Sequence, residues 1–149
     1  MPLQQLRKYV RVVEQATEEI DKTLKEGGGE SGGIMQLPPV ILLLPGMLVS
    51  GRMVSSRIYN QQERNELEEA QRDSPEHPET GISIEEGLMR LFPEPTPEEA
   101  EAILEEDYEP QTIYLLDVAV IVGAHGTELP GIAVEFDRVL GWKRGQLSA

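Results

Sequence analysis

One continuous stretch, residues 63–109, carries all of the chain's excess negative charge. It holds 17 acidic residues and 3 arginines, so its net charge of 3 − 17 = −14 equals that of the whole chain. The remainder has 13 − 3 = 10 basic and 27 − 17 = 10 acidic residues and is neutral. Because a segment this dense in like charge buries little apolar surface, we expect the flanking segments to form the core. The pattern predicts a domain over residues 34–149 with an acidic insertion at 61–110.

Length and composition exclude several classes of protein. A chain of 149 residues suits one domain, and the absence of cysteine excludes disulfide frameworks and thiolate metal sites. The longest apolar run, residues 38–49, is broken by Pro45 and Gly46 and is too short to span a bilayer. We therefore expect a soluble cytoplasmic protein. The negative charge and only 7 aromatic residues disfavour nucleic acid as a partner.

The N-terminal segment, residues 1–26, has the pattern of an amphipathic helix. Its apolar residues recur in steps of three and four, which is the spacing of heptad a and d positions. This seam comprises Leu3, Leu6, Val10, Val13, Ile20 and Leu24. Two interpretations are open, namely a helix that packs on its own domain and a seam that pairs with a second copy. The glycine-rich tether at 27–33 favours the second, because a tethered helix can reach a neighbour.

The segments that flank the acidic stretch are typical of short strands. Residues 40–44 and 47–55 predict a hairpin around the Pro45-Gly46 turn, with a sharp bend at Gly51. Residues 113–122 predict a buried strand, 123–131 a loop, 132–137 a half-buried strand, and a last short strand begins at 145. About five bent antiparallel strands favour an α+β fold built on a small barrel, the class that includes Sm-like and SH3-like domains, since closure removes exposed edges.

The acidic insertion itself has helical signals. Ile84, Leu88 and Leu91 lie at helical spacing, and Thr96 with Glu99 forms a capping box around Pro97. We expect two short helices joined by residues 93–95, with their acids facing solvent. The composition of residues 73–78 predicts disorder.

No arrangement of residues in the sequence indicates catalysis or a cofactor. Neither His77 nor His125 has a second ligand at helical spacing, and the acids lack the spacing of a calcium loop. Ser50, Ser55 and Ser56 lack a nucleophile elbow or an evident base. We predict no catalytic, metal or cofactor-binding residues, and classify the chain as not an enzyme.

Two stretches nonetheless resemble a known family. Residues 46–59, with Gly46, Ser50, Gly51, Ser55 and Tyr59, are similar to the barrel hairpin of the gas-vesicle accessory protein U family. After the acidic insertion, residues 112–117 resemble that family's aliphatic strand. Residues 139–148 then resemble its closing motif through Gly141, Trp142 and Gly145. Together the similar stretches cover about 50 to 60 residues in the family's order.

The resemblance implies a non-enzymatic cytoplasmic accessory protein with an Sm-like barrel that self-associates and influences the clustering of gas vesicles. Its partners would be further copies, gas-vesicle shell proteins or other accessory proteins. An alternative is an Sm-like RNA-binding or general protein-interaction module unrelated to vesicles. A basic rim would then be formed by Arg52, Arg57, Arg138, Lys143 and Arg144. A metal-assisted hydrolase has only the abundance of carboxylates in its favour.

Overall fold

The computed structural model describes residues 3–26, 37–72 and 84–148. Within these ranges the chain has an α+β fold, as the sequence predicts. The elements are α1 Leu3–Lys25, β1 Val40–Leu44, β2 Met47–Val54, α2 Ser56–Arg72, α3 Ile84–Leu91, α4 Pro97–Leu104, β3 Thr112–Val122, β4 His125–Glu135, a 3-10 turn Phe136–Arg138, and β5 Gly141–Arg144. The predicted tether at 27–33 and the predicted disorder at 73–78 lie outside the described residues.

The five strands form one antiparallel sheet in the order β4-β3-β2-β1-β5. The sheet is not closed, so the predicted barrel is not confirmed in this form. β4 and β5 are its two edges, and each edge has a feature that limits further pairing. β5 has four residues, whereas β4 is long but contains Pro130, which has no N–H, and the charged Glu128.

The bend predicted at Gly51 arises from the strand opposite it. The register of β2 and β3 shifts between Ser50 and Arg52, so that Asp117 and Val118 together oppose Gly51. Asp117 has a positive φ of 54°, which is the conformation of a bulge residue. A Cβ atom at Gly51 would lie 3.0 Å from both Leu115 Cβ and the Leu116 carbonyl oxygen. Glycine is therefore required at 51 by the close approach of β3.

Gly51→Ala is expected to lower the free energy of unfolding by about 1–3 kcal/mol, because the added methyl group overpacks the β2–β3 contact. Gly87→Ala is the matched control, since Gly87 lies in α3 and a Cβ there meets nothing within 4 Å. Alanine in a helix should instead raise stability by up to about 1 kcal/mol. Urea unfolding followed by the fluorescence of Trp142 measures both. Equal effects of the two variants would contradict the role assigned to Gly51.

The core lies between the sheet and α1. Leu6, Val10 and Val13 project from one face of α1 onto the sheet. Their apolar partners come from all five strands, although β4 contributes only Val134, near its end, to the buried cluster. The buried cluster comprises Leu6, Val10, Val13, Val40, Leu42, Leu44, Val49, Met53, Ile113, Leu115, Val118, Val134, Phe136, Val139 and Trp142. The N-terminal half of the predicted seam therefore packs on its own domain, which is the first of the two interpretations.

Three details of the predicted order of elements are wrong. The predicted loop 123–131 is mostly β4, because a two-residue turn at Gly123-Ala124 lets His125 pair directly with Val122. Its exposed edge residues have no apolar pattern, so the sequence resembles a loop. The last strand is Gly141–Arg144 and does not begin at 145. Tyr59, predicted in the barrel hairpin, lies in α2, which starts at Ser56 and extends the helical insertion toward the N-terminus.

The two short helices of the insertion are confirmed. α3 and α4 flank residues 93–95, and Thr96 caps α4. The Thr96 hydroxyl accepts a hydrogen bond from Glu99 N at 3.1 Å, while Thr96 N donates to Glu99 Oε1 at 3.1 Å. Each of the two short helices packs on another helix, α3 on α2 and α4 on α1.

Candidate functional site

Two buried glutamates of α1 hold the first turn of α2. Glu14 and Glu18 lie one helical turn apart, and each residue is only 2% exposed. Glu14 Oε1 accepts a hydrogen bond from Ser56 N at 2.7 Å, and its Oε2 accepts one from the Ser56 hydroxyl at 2.9 Å. Ser55 precedes the helix, and its hydroxyl accepts from Ile58 N at 3.2 Å. The N-terminus of α2 is thus capped from its own chain segment and from α1.

The second glutamate binds the arginine next to Ser56. Arg57 Nε donates to Glu18 Oε1 at 3.0 Å, and Nη2 donates to Glu18 Oε2 at 2.9 Å, which is a bidentate pair. We call Glu14, Glu18, Ser56 and Arg57 the α1–α2 clasp. Both carboxylates are satisfied within it, so the burial of two acids side by side is tolerated.

The clasp continues into the α3–α4 linker. Arg57 Nη1 lies 3.7 Å from Glu94 Oε2, and Arg64 Nη2 lies 3.5 Å from Glu94 Oε1. Arg64 also donates to the carbonyl oxygen of Phe92. α1, α2 and the α3–α4 linker therefore meet at two arginines, which tie the acidic insertion to α1.

Burial controls the electrostatics around the clasp. Desolvation raises the pKa of Glu14, an effect that the two hydrogen bonds from Ser56 oppose and that Glu18 reinforces. The pKa of Arg57 is raised chiefly by its hydrogen bonds to Glu18. Burial together with the charges of Glu14 and Glu18 raises the pKa of Tyr108 to about 12. The phenol of Tyr108 therefore remains protonated through the whole neutral range.

The raised pKa of Glu14 predicts a pH dependence of stability. The native state holds the Glu14 proton more tightly than the unfolded chain does, so stability falls as pH rises from about 4.5 through the higher native pKa. Above that pKa the destabilisation by Glu14 is complete. The unfolding free energy of wild type and of Glu14→Gln should be measured across this window. The difference between the two should change with pH, because the amide of Glu14→Gln does not titrate. A constant difference between the two proteins would contradict the assignment.

Two cavities adjoin the clasp on opposite sides. A polar cavity of about 430 Å³ is bounded by Glu14, Ser56, Tyr108, Tyr114 and the α3–α4 linker. An apolar groove of about 270 Å³ runs between the C-terminal half of α1 and β2 with α2. Both cavities depend on the clasp for their walls, since it fixes the spacing of α1 and α2.

The seam residues predicted on α1 have different surroundings. Leu6, Val10 and Val13 are in the core, and Leu3 packs against it. Ile20 and Leu24 instead line the apolar groove, and Leu24 is 55% exposed. Pairing with a second copy through this helix thus remains a prediction only for its C-terminal end.

The basic rim considered for an RNA-binding module is not assembled. Arg57 is inside the clasp, and Arg52 pairs with Asp117, with its Nη2 3.2 Å from Asp117 Oδ2. Arg138 is in the 3-10 turn, and Lys143 and Arg144 are consecutive residues of β5, so their side chains face opposite sides of the sheet. His125 begins β4 on the surface, and His77 lies outside the described residues. Within the described ranges, no group of three or more His, Asp or Glu could hold a metal ion, and no helix could cross a membrane.

Reasoning from the sequence missed the clasp, although signals for it were present. Ser55 has the residue type of an N-cap, and residues 56–72 are rich in Gln, Glu and Arg, which favour helix. Glu14 and Glu18 sit at adjacent turns of α1, next to the predicted seam. Their burial could not be predicted from the sequence, because it depends on how α2 packs against α1.

The two stretches that resemble a family meet in the sheet. β1 pairs on one side with β2, which contains Ser50 and Gly51, and on the other with β5, which contains Gly141 and Trp142. The buried hydroxyl of Ser50 accepts a hydrogen bond from Leu147 N at 3.0 Å. Gly46 forms the β1–β2 turn with a φ of 76°, and Gly145 N donates to the Pro39 carbonyl. No family model, curated protein or solved structure matches the chain.

Proposed function

We propose that this chain is a non-enzymatic accessory protein of gas vesicles that self-associates and influences their clustering. The observation that carries the proposal is the hydrogen bond between Ser50 and Leu147 N. It joins the hairpin and closing stretches, the two that resemble the accessory protein U family, through residues 97 positions apart. A chance likeness of separate short motifs gives no reason for them to lie in contact.

The order of elements supports the same proposal. A helix precedes a β1–β2 hairpin, the acidic helical insertion follows β2, and β3 to β5 complete the sheet. From the β1–β2 hairpin onward this order matches that implied by the resemblance, with the insertion in the corresponding place, whereas α1 lies outside the resemblance. We further propose that the curled sheet, bent at Gly51 and the Asp117 bulge, is a variant of the Sm-like barrel.

The electrostatics favour a protein partner over a nucleic acid. Most acidic residues of the insertion that the structure describes are exposed. Arg57, just before the insertion, pairs with Glu18, and Arg64, within it, pairs with Glu94. Such a surface repels phosphates and attracts basic or polar protein surfaces. A gas-vesicle partner would place the protein in the cytoplasm.

Co-flotation with purified gas vesicles, which rise in a centrifuge because they are filled with gas, tests the proposal. We expect the protein to be retained on washed vesicles and to change their clustering, as measured by light scattering. An unrelated protein of similar net charge controls for non-specific adsorption. Retention no greater than this control, together with unchanged clustering, would overturn the vesicle role. A short oligo-U RNA at low salt should show no binding.

A further inference from the structure

The two most exposed large apolar side chains in the described ranges lie in oppositely charged surroundings. Leu91, at the end of α3, is 68% exposed, and Leu140, just before β5, is 66% exposed. An exposed leucine alone means little, because much of any protein surface is apolar. The charge around each leucine is what distinguishes this pair.

Leu91 belongs to an acidic surface. Residues 84–109 contain 10 acidic residues and one basic residue, a net charge of 1 − 10 = −9. α3 packs on α2 through its buried Leu88, which leaves Met89 and Leu91 exposed. We call Met89 and Leu91 the acidic knob, because the segment to which they belong, residues 84–109, carries this net charge.

Leu140 belongs to a basic surface. Leu140 N donates to the Leu43 carbonyl at 2.8 Å, so the two exposed leucines are neighbours. Leu43 pairs with Gly141 and Ile41 with Lys143, which places Lys143 on the same sheet face as Leu43. Residues 136–148 contain three basic residues and one acidic residue, a net charge of 3 − 1 = +2. We call Leu43, Leu140, Arg138 and Lys143 the basic edge.

The cations of the basic edge are available to a partner. Across residues 3–26, 37–72 and 84–148, Arg138 and Lys143 form no ion pair, whereas Arg7, Arg52, Arg57, Arg64 and Arg90 each do. Apolar side chains with a charged rim are the usual composition of a protein–protein contact. Both surfaces have this composition, with opposite signs at the rim.

We propose that the acidic knob of one molecule docks on the basic edge of a second copy. The inference rests on the self-association included in the proposed function and names the surfaces that would produce it. Two knobs repel each other, as do two edges, so the contact joins unlike surfaces. Such a head-to-tail contact leaves one knob and one edge free at the ends and extends into rings or chains. A protein that assembles in this way can bridge the particles to which it binds.

Two single substitutions test the contact. Leu91→Ser removes the knob, and Leu140→Ser removes the centre of the edge, while both sites are exposed enough for the fold to persist. Each should weaken self-association about tenfold or more, as measured by sedimentation velocity, since each removes a leucine from the buried centre of the contact. Leu129→Ser is a matched control at another exposed leucine and should associate like wild type. Leu24→Ser tests the competing interface at the C-terminal end of α1, and the proposed contact predicts that it also associates like wild type.

Mixing the two variants distinguishes a head-to-tail contact from a symmetric one. Leu140→Ser retains its knob and Leu91→Ser retains its edge, so the mixture should form 1:1 dimers that cannot extend. Raising NaCl from about 50 mM to about 500 mM should weaken association of the wild type, because it screens the exposed charges. A mixture that remains monomeric would overturn the head-to-tail contact.

The outcomes separate this inference from the proposed function. If wild type is monomeric at about 100 µM, above the dissociation constants of most specific complexes, self-association and the contact both fail. If wild type associates and Leu91→Ser and Leu140→Ser associate equally well, only the contact fails. Loss of association in Leu24→Ser or Leu129→Ser alone would assign the interface to α1 or β4 instead.

Discussion

Replacing Arg57 with leucine is expected to lower the free energy of unfolding by about 3–5 kcal/mol, the usual effect of removing one partner from a buried ion pair. Arg57 makes two hydrogen bonds to Glu18, and its guanidinium also lies near Asp21 and Glu94. Leucine would leave the Glu18 carboxylate desolvated and without a cation. α1, α2 and the α3–α4 linker would lose their common contact.

The arginine of a surface pair provides a matched control. Arg52 pairs with Asp117, but their side chains are 46% and 73% exposed. Arg52→Leu should therefore change stability by less than about 1 kcal/mol, because water screens and solvates both charges. Urea unfolding followed by Trp142 fluorescence compares the two variants. Similar losses for Arg57→Leu and Arg52→Leu would mean that the clasp is not desolvated in solution.

A double variant tests the mechanism. Adding Glu18→Leu to Arg57→Leu removes the stranded carboxylate, and the apolar pair should recover much of the lost stability. The fold would then be held by packing where the charges had been. If the double variant is as unstable as Arg57→Leu alone, the loss comes from packing of the arginine stem and not from an unpaired charge.

Local signals predicted the parts of the fold that depend on neighbouring residues. The capping box at Thr96 and Glu99 uses atoms three residues apart, so the start of α4 was readable. The Pro45-Gly46 turn likewise joins two adjacent strands. The N-terminal half of the α1 seam was recognisable because a heptad pattern needs only helix geometry, although its partner could be either the sheet or a second copy.

The parts that could not be predicted depend on contacts between distant segments. β4 carries little apolar pattern, and it is a strand because β3 offers it a full ladder of hydrogen bonds. The clasp brings together residues 42 and 39 positions apart, and no local signal marks Glu14 or Glu18 as buried. The end of the sheet was misplaced because Trp142 pairs with Leu42, which the sequence around Gly145 does not reveal.

Trp142→Ala is expected to lower the free energy of unfolding by about 3–5 kcal/mol, since it leaves a large cavity beneath α1. Trp142 is buried in β5, pairs with the fully buried Leu42, and meets the edge of the Tyr9 ring at a centroid distance of 5.5 Å. It is therefore the side chain through which the closing strand contacts both the sheet and the N-terminal helix.

The controls for Trp142 separate aromatic packing from the presence of the strand. Trp142→Phe keeps a ring against Tyr9 and should lose clearly less stability than Trp142→Ala. Because Trp142 is the only tryptophan, unfolding is followed by far-UV circular dichroism. A loss below about 1 kcal/mol for Trp142→Ala would mean that β5 is not packed on the core. The Ser50–Leu147 hydrogen bond, which joins the two family-like stretches next to β5, would then no longer support the gas-vesicle proposal. This measurement therefore tests the structural basis of the proposed function before any vesicle is used.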